Sequence, residues 1–208
     1  MTAPSSTKER PILFSAPMVR AILDGRKTQT RRAMKPQPSM FFNSFGRMFS
    51  RPSSLKAWND HAYAEDFCPY GVPGGTLWVR ETFGDCSPGA DALIGTKWER
   101  PWYRADADAY GLLGHDGDGP VYVEDVKWRP SIHMPRWASR ITLEITDVRV
   151  ERLASISDRD AIAEGINVTD DELPSVTFAK LWHSINGEKA PWQSNPWVWV
   201  VTFRRVSH

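Results

Sequence analysis

At 208 residues the chain is long enough for one well-buried core, or at most two small ones. Lysine and arginine total 26 against 25 aspartates and glutamates, a net charge of +1. That balance excludes a protein that coats nucleic acid through bulk charge, so any such contact must come from a local patch. No apolar run approaches a membrane span, and the polar start from Met1 to Arg10 lacks the apolar stretch of a signal peptide; the chain is expected in the cytoplasm, away from membranes.

Ordered signal comes in three blocks, about residues 10–32, 75–83 and 121–206. In the first, Met18, Val19, Ile22 and Leu23 share one face of a helix of about two turns from Pro17 to Asp24, which Gly25 ends. The threonine-rich segment after it reads as a strand or extended turn, so the cations Arg26, Lys27, Arg31 and Arg32 emerge from a tightly held corner. Residues 34–74 and 84–120 are dense in Pro, Gly, Ser and Asp without a sustained period, and read as two insertions decorating one domain. In the third block Ile141, Leu143 and Ile145 alternate, and Val148 and Val150 resume one register out, which predicts a bulge near Thr146-Asp147. Ser157 with Asp160 predicts a capped helix over 158–164, ended by Gly165 and leaving Glu164 in its last turn. A further helix after Pro174 carries Phe178, Leu181, Trp182 and Ile185 on one face and stops at Asn186-Gly187. Trp197 to Phe203 is apolar on both faces and reads as a central strand. Strands interleaved with short helices, without βαβ alternation, give an α+β class with a mostly antiparallel sheet.

The pattern Gly25-x-Lys27-x-x-Thr30-x-Arg32 resembles the signature of the ASCH domain family, relatives of the RNA-binding PUA domains. Pro11 to Ser15, Leu77 to Phe83, Ser131 to Arg140 and Asp160 to Ile166 are similar, in order, to blocks of the larger, often phage-encoded members. The resemblance spans roughly half the chain. It implies one ASCH domain over 1–208: a PUA-like β-barrel of mostly antiparallel strands flanked by short helices, with the two insertions.

In small members that are amidohydrolases of N4-acetylcytidine, catalysis belongs to a lysine, a threonine and a glutamate. Lys27, Thr30 and Glu164 match those positions, which implies Lys27 as base, the Thr30 hydroxyl as nucleophile and Glu164 as orienting or proton-relaying group. A lysine near its usual pKa of about 10.4 is protonated at neutral pH, so burial and the neighbouring cations must lower it by roughly 2 to 3 units for that role, while Glu164 pulls the other way. The alternative is a buried Lys27–Glu164 salt bridge that pins the strand to the helix, with Thr30 an ordinary strand residue.

Arg31, Arg32, Arg80, Arg136 and Arg140 are candidates for phosphate contact, and Trp78, Trp128 and Trp137 for base stacking, because a guanidinium fork suits phosphate and an indole offers a face to an unpaired base. Trp197 and Trp199 are better explained by packing. Cys68 and Cys86 are the only cysteines; with His61 and His115 they lack the paired spacing of a zinc site, and no metal or cofactor is expected. Asp106 to Gly111 looks briefly like a calcium loop but fails at Tyr110 and Gly117, and reads as a solvated loop. The functions that remain are binding of a nucleoside or RNA ligand in a cleft with hydrolysis of an acylated nucleoside, a non-catalytic RNA-binding module, and, ranked last, a metal-assisted ribonuclease.

Overall fold

The computed structural model describes residues 9–35, 37, 40–42, 48–50, 68–86, 101–116, 119–168 and 171–206. In chain order these form β1 (Arg10–Leu13), α1 (Ala16–Leu23), β2 (Gln29–Ala33), β3 (Met40–Phe42), β4 (Met48–Ser50), β5 (Thr76–Arg80), β6 (Phe83–Cys86), β7 (Trp102–Tyr103), β8 (Leu112–Asp116), β9 (Gly119–Tyr122), β10 (Val126–Arg129), β11 (Thr142–Arg152), α2 (Asp158–Ala163), α3 (Pro174–Asn186) and β12 (Trp197–Val206). The class is α+β. The main sheet has the order β1-β5-β11-β12-β2, and only the β1/β5 pair is parallel.

β12 lies between β11 and β2, and its alternation feeds two cores. Trp199, Val201 and Phe203 face the cluster built with Phe14, Val19, Ile22, Leu77, Leu143 and Ile145. Val198 and Val200 face the other side, against Ala161 of α2 and Phe178 and Trp182 of α3. That is why the strand is apolar on both faces. On β11 the register against β12 shifts between Ile145 and Asp147. The extra residue returns Val148 to the core that Leu143 and Ile145 already enter, so the phase change in the sequence is a β-bulge.

Among the described residues the hydrogen-bonded sheet ends at β1 and β2 and does not close into a barrel. A side chain spans the seam: Arg32 of β2 donates from Nη2 to the Leu13 carbonyl of β1 at 2.6 Å, and its guanidinium lies 5.3 Å from the Phe14 ring centroid. The two segments read as irregular insertions carry short strands. β6, β7 and β10 form a three-stranded sheet, β8 pairs with β9, and β3 with β4. Strands of two to five residues broken by glycine and proline are too short to display a period.

Candidate functional site

The basic motif is fixed by backbone before its side chains act. Gly25, at φ 75°, reverses the chain after α1. The Lys27 amide then donates to the Ala21 carbonyl at 2.9 Å, and the Thr28 amide to the Ala163 carbonyl at 2.8 Å. The motif is thereby clamped between α1 and α2. α2 starts at Ser157, whose hydroxyl accepts from the Asp160 amide, and Glu164 caps its C-terminal end. The next residue, Gly165, has φ 91°, and a Cβ there would meet Ala21 Cβ at 3.0 Å and Lys27 Cβ at 3.1 Å. Gly165→Ala is therefore expected to destabilise the protein by about 1–3 kcal/mol, through left-handed strain plus a contact that pushes Lys27 from Glu164; thermal melts check the loss.

Lys27 and Glu164 are brought into contact. The Lys27 side chain is fully buried and its Nζ donates to Glu164 Oε2, the Glu164 carbonyl and the Gln29 carbonyl, each at 2.8 Å. An ammonium has three N–H donors, and all three are used. In this arrangement Lys27 is a cation holding Glu164, not a free base. Burial pushes its pKa below the usual value; the charge and hydrogen bond of Glu164 oppose that shift, and Arg32 and Arg31 reinforce it.

Glu164 is also reached from β2 itself. Arg31, whose side chain is fully buried, lies 3.4 Å from Glu164 Oε1 and donates to Gln29 Oε1 at 2.6 Å, Glu151 Oε2 at 3.1 Å and Asp160 Oδ2 at 3.1 Å. Arg149 extends the cluster through Glu151, Asp160 and Asp147. Arg31 is thus the centre of a buried ion-pair cluster. Its partners sit on β11 and α2, and no local spacing announces them.

Thr30, Arg31, Arg32 and Glu164 line a cavity of about 60 Å³, with Phe178 and Leu181 of α3 supplying an apolar wall. The cavity follows the free edge of β2, the end strand of the sheet. Lys27 stands behind Glu164 rather than in the lining. The volume matches about two water molecules, or an acetyl-sized group. Phe178 and Leu181 carry a helix-face signal in the sequence, but nothing there marks them as a wall of a site.

The other sequence-predicted residues gather elsewhere. Trp78 is flanked by the guanidinium groups of Arg80 and Arg136, at 5.4 and 6.0 Å from its ring centroid. Arg80 donates to the Met134 and Ile132 carbonyls, and Arg136 pairs with Glu9 at 2.7 Å. Arg140 forms paired hydrogen bonds with Glu81 and with Asp106, and packs 3.8 Å from the Tyr103 ring centroid. The charges of Arg136 and Arg140 are matched by carboxylates, which weakens their case as phosphate ligands. Trp137 is 70% exposed, whereas Trp128 donates its Nε1 to the Val123 carbonyl beneath Arg104. Trp199 is core, and Trp197 packs under Arg152.

Asp106 is occupied by Arg140, and Asp108 accepts from the Tyr110 and Leu112 amides, so both have turn and pairing tasks. Among the described residues no group of three His, Cys, Asp or Glu side chains is placed to hold a metal ion, and no helix is long and apolar enough to cross a membrane. Cys68 is a buried free thiol whose pKa burial raises; His61 lies outside the described residues, as does the Cys86 side chain.

No family model matches the chain, and no curated protein matches it. Among solved structures, the crystal structure of protein EF3133 from Enterococcus faecalis V583, with the family model DUF984, is similar at a TM-score of 0.40 and 10% identity, covering 95% of this chain and 80% of that one. At that level the likeness carries no argument about this chain's fold or function.

Proposed function

We propose that the chain is an ASCH-type, PUA-like protein whose cavity along β2 receives the acyl group of an acylated nucleoside and hydrolyses its amide bond, with Thr30, Glu164 and Lys27 as the reacting and proton-carrying groups. The observation that carries this reading is the meeting of Thr30, Arg32 and Glu164 with an apolar wall in an acetyl-sized cavity, Lys27 being hydrogen-bonded directly behind Glu164. The barrel belongs to the same reading; Arg32 tying β2 to β1 across the open seam supports it. So does a reducing cytoplasm, which suits the buried thiol of Cys68.

The chemistry requires Lys27 to release a proton first. Burial favours the neutral amine, and Glu164 at 2.8 Å is the acceptor in reach. Because Lys27 stands behind Glu164 and outside the lining, the Thr30 hydroxyl proton reaches neutral Lys27 through the Glu164 carboxyl as Oγ bonds to the acyl carbon. The C–N bond breaks and the leaving amine carries away a proton. Water cleaves the resulting Thr30 ester, which frees the carboxylic acid and restores the hydroxyl.

Arg31, Arg136 and Arg140 are matched by carboxylates, so this reading favours an uncharged ligand over an RNA phosphate backbone. Wild type is expected to turn over N4-acetylcytidine with little salt dependence, and Thr30→Ala to lose about a hundredfold or more while staying folded. Lys27→Ala and Glu164→Gln are assayed beside it. Equal turnover by Thr30→Ala, or none by wild type, would overturn the assignment. Steeply salt-sensitive RNA binding in its place would favour the non-catalytic module.

A further inference from the structure

Glu164 is shared by two buried cations that differ in what they can do. Lys27 Nζ donates to Oε2 at 2.8 Å, and Arg31 Nη1 lies 3.4 Å from Oε1. A lysine can become neutral, whereas a guanidinium in a protein keeps its charge. The reaction proposed above needs a neutral Lys27, and a buried carboxylate left without a cation at that moment would drive a proton back onto it. Arg31 removes that difficulty, because its charge stays beside Oε1.

The guanidinium is fixed from three elements. Nη1 donates to Gln29 Oε1 of β2 at 2.6 Å, and Nη2 donates to Glu151 Oε2 of β11 and Asp160 Oδ2 of α2, each at 3.1 Å. Arg149 also pairs with Glu151 and Asp160, so part of their charge is met elsewhere and Arg31 retains attraction for Glu164. Gln29 links the two cations: its side-chain oxygen accepts from Arg31 and its carbonyl from Lys27 Nζ. One residue of β2 therefore sets their spacing. Among the described residues, burial works against a charged Lys27, Glu164 works for it, and Arg32 and Arg31 work against it, while the nearby Phe14 ring carries no charge. The Arg31 side chain is fully buried, so any part it plays runs through Glu164 and not through contact with substrate.

We infer that Arg31 is a positioning residue of the proposed reaction: it holds the Glu164 carboxylate at Oε1, charged and in place, while Lys27 at Oε2 is neutral. The inference rests on the reading of Lys27, Thr30 and Glu164 given above.

The full chain labelled with [ε-¹³C]lysine is titrated by NMR, the Lys27 signal being assigned from Lys27→Met, and kcat/KM for N4-acetylcytidine is followed over the same pH range. In Arg31→Met the Lys27 titration and the rising limb of kcat/KM are expected to move together to higher pH by roughly one unit, because Glu164 is then left with Lys27 as its charged partner. Arg31→Lys keeps the charge and should return part of that shift. Glu151→Gln tests the same link with Arg31 in place, and serves where Arg31→Met does not fold. It removes one competitor for the guanidinium, so both readouts should move to lower pH, by about half a unit. An arginine with a purely structural role would not move them in opposite directions. An unmoved Lys27 titration in Glu151→Gln and in folded Arg31→Met, or a shift of the same sign in both, would overturn the inference. Opposite shifts of Lys27 without turnover by wild type support the link from Arg31 through Glu164 to Lys27 and remove the hydrolase reading. Turnover with a pH limb that neither variant moves removes the part of Arg31 and leaves that reading in place.

Discussion

Arg31→Met is expected to destabilise the protein by about 3–5 kcal/mol at neutral pH, a fall in Tm of roughly 6–20 °C for a chain of this size. Among the described residues the fully buried guanidinium is the one cation that touches Glu164, Glu151 and Asp160 together, and it also holds Gln29. Without it Arg149 is left with Asp147, Glu151 and Asp160, and Lys27 alone with Glu164. Carboxylates stripped of a buried partner repel one another and lose hydrogen bonds they exchanged for water. Arg31→Lys should recover only a fraction, because a single ammonium cannot reach acceptors on β2, β11 and α2 with the fork geometry of arginine. Thermal melts of the three proteins at neutral pH test this; a variant as stable as wild type would show the cluster to be energetically idle.

The elements around this cluster were legible from sequence, and the cluster was not. α1, α2 and α3 announce themselves through apolar spacing, Ser157, Pro174 and the glycines Gly25 and Gly165. The bulge after Ile145 shows as a phase change, and β12 as a run apolar on both faces. These are local signals, repeated within a few residues. The partners of the arginines are not local: Glu151 and Asp160 lie 120 and 129 residues beyond Arg31, and Glu81 lies 59 from Arg140. Periodicity assigns Arg31 to a face of β2, but what stands opposite that face is decided by the sheet order and by where α2 docks. An arginine cluster in the sequence therefore reads as an anion site whether its counter-charges are ligands or the protein's own. The cavity was partly legible, since Thr30 and Arg32 fall on one side of a strand and Glu164 at a helix end, whereas the contribution of α3 required the fold.

Lys27→Ala is expected to cost about 3–5 kcal/mol, because it leaves Glu164 buried with Arg31 as its remaining charged neighbour and orphans the Gln29 carbonyl. The double variant Lys27→Met/Glu164→Leu should regain most of that, since an apolar pair of similar volume removes both buried charges; Arg31 keeps Glu151 and Asp160. Its dependence on pH separates a structural salt bridge from a lysine poised to give up its proton. Burial sets the Lys27 pKa below the usual 10.5, so between the folded value and 10.5 the unfolded chain holds more protons than the native protein. Wild-type stability relative to the double variant should therefore rise as pH is raised from neutrality towards 10.5, with the contribution of Lys27 complete above that value and lost as pH falls through the folded pKa. A pair in which Glu164 dominated would place the folded pKa above 10.5 and give the opposite slope. Denaturant unfolding of both proteins across this range reads the sign directly. A falling difference would make Lys27 a permanent cation that pins β2 to α2, and the proposed relay from Thr30 through Glu164 would then have no base at its end.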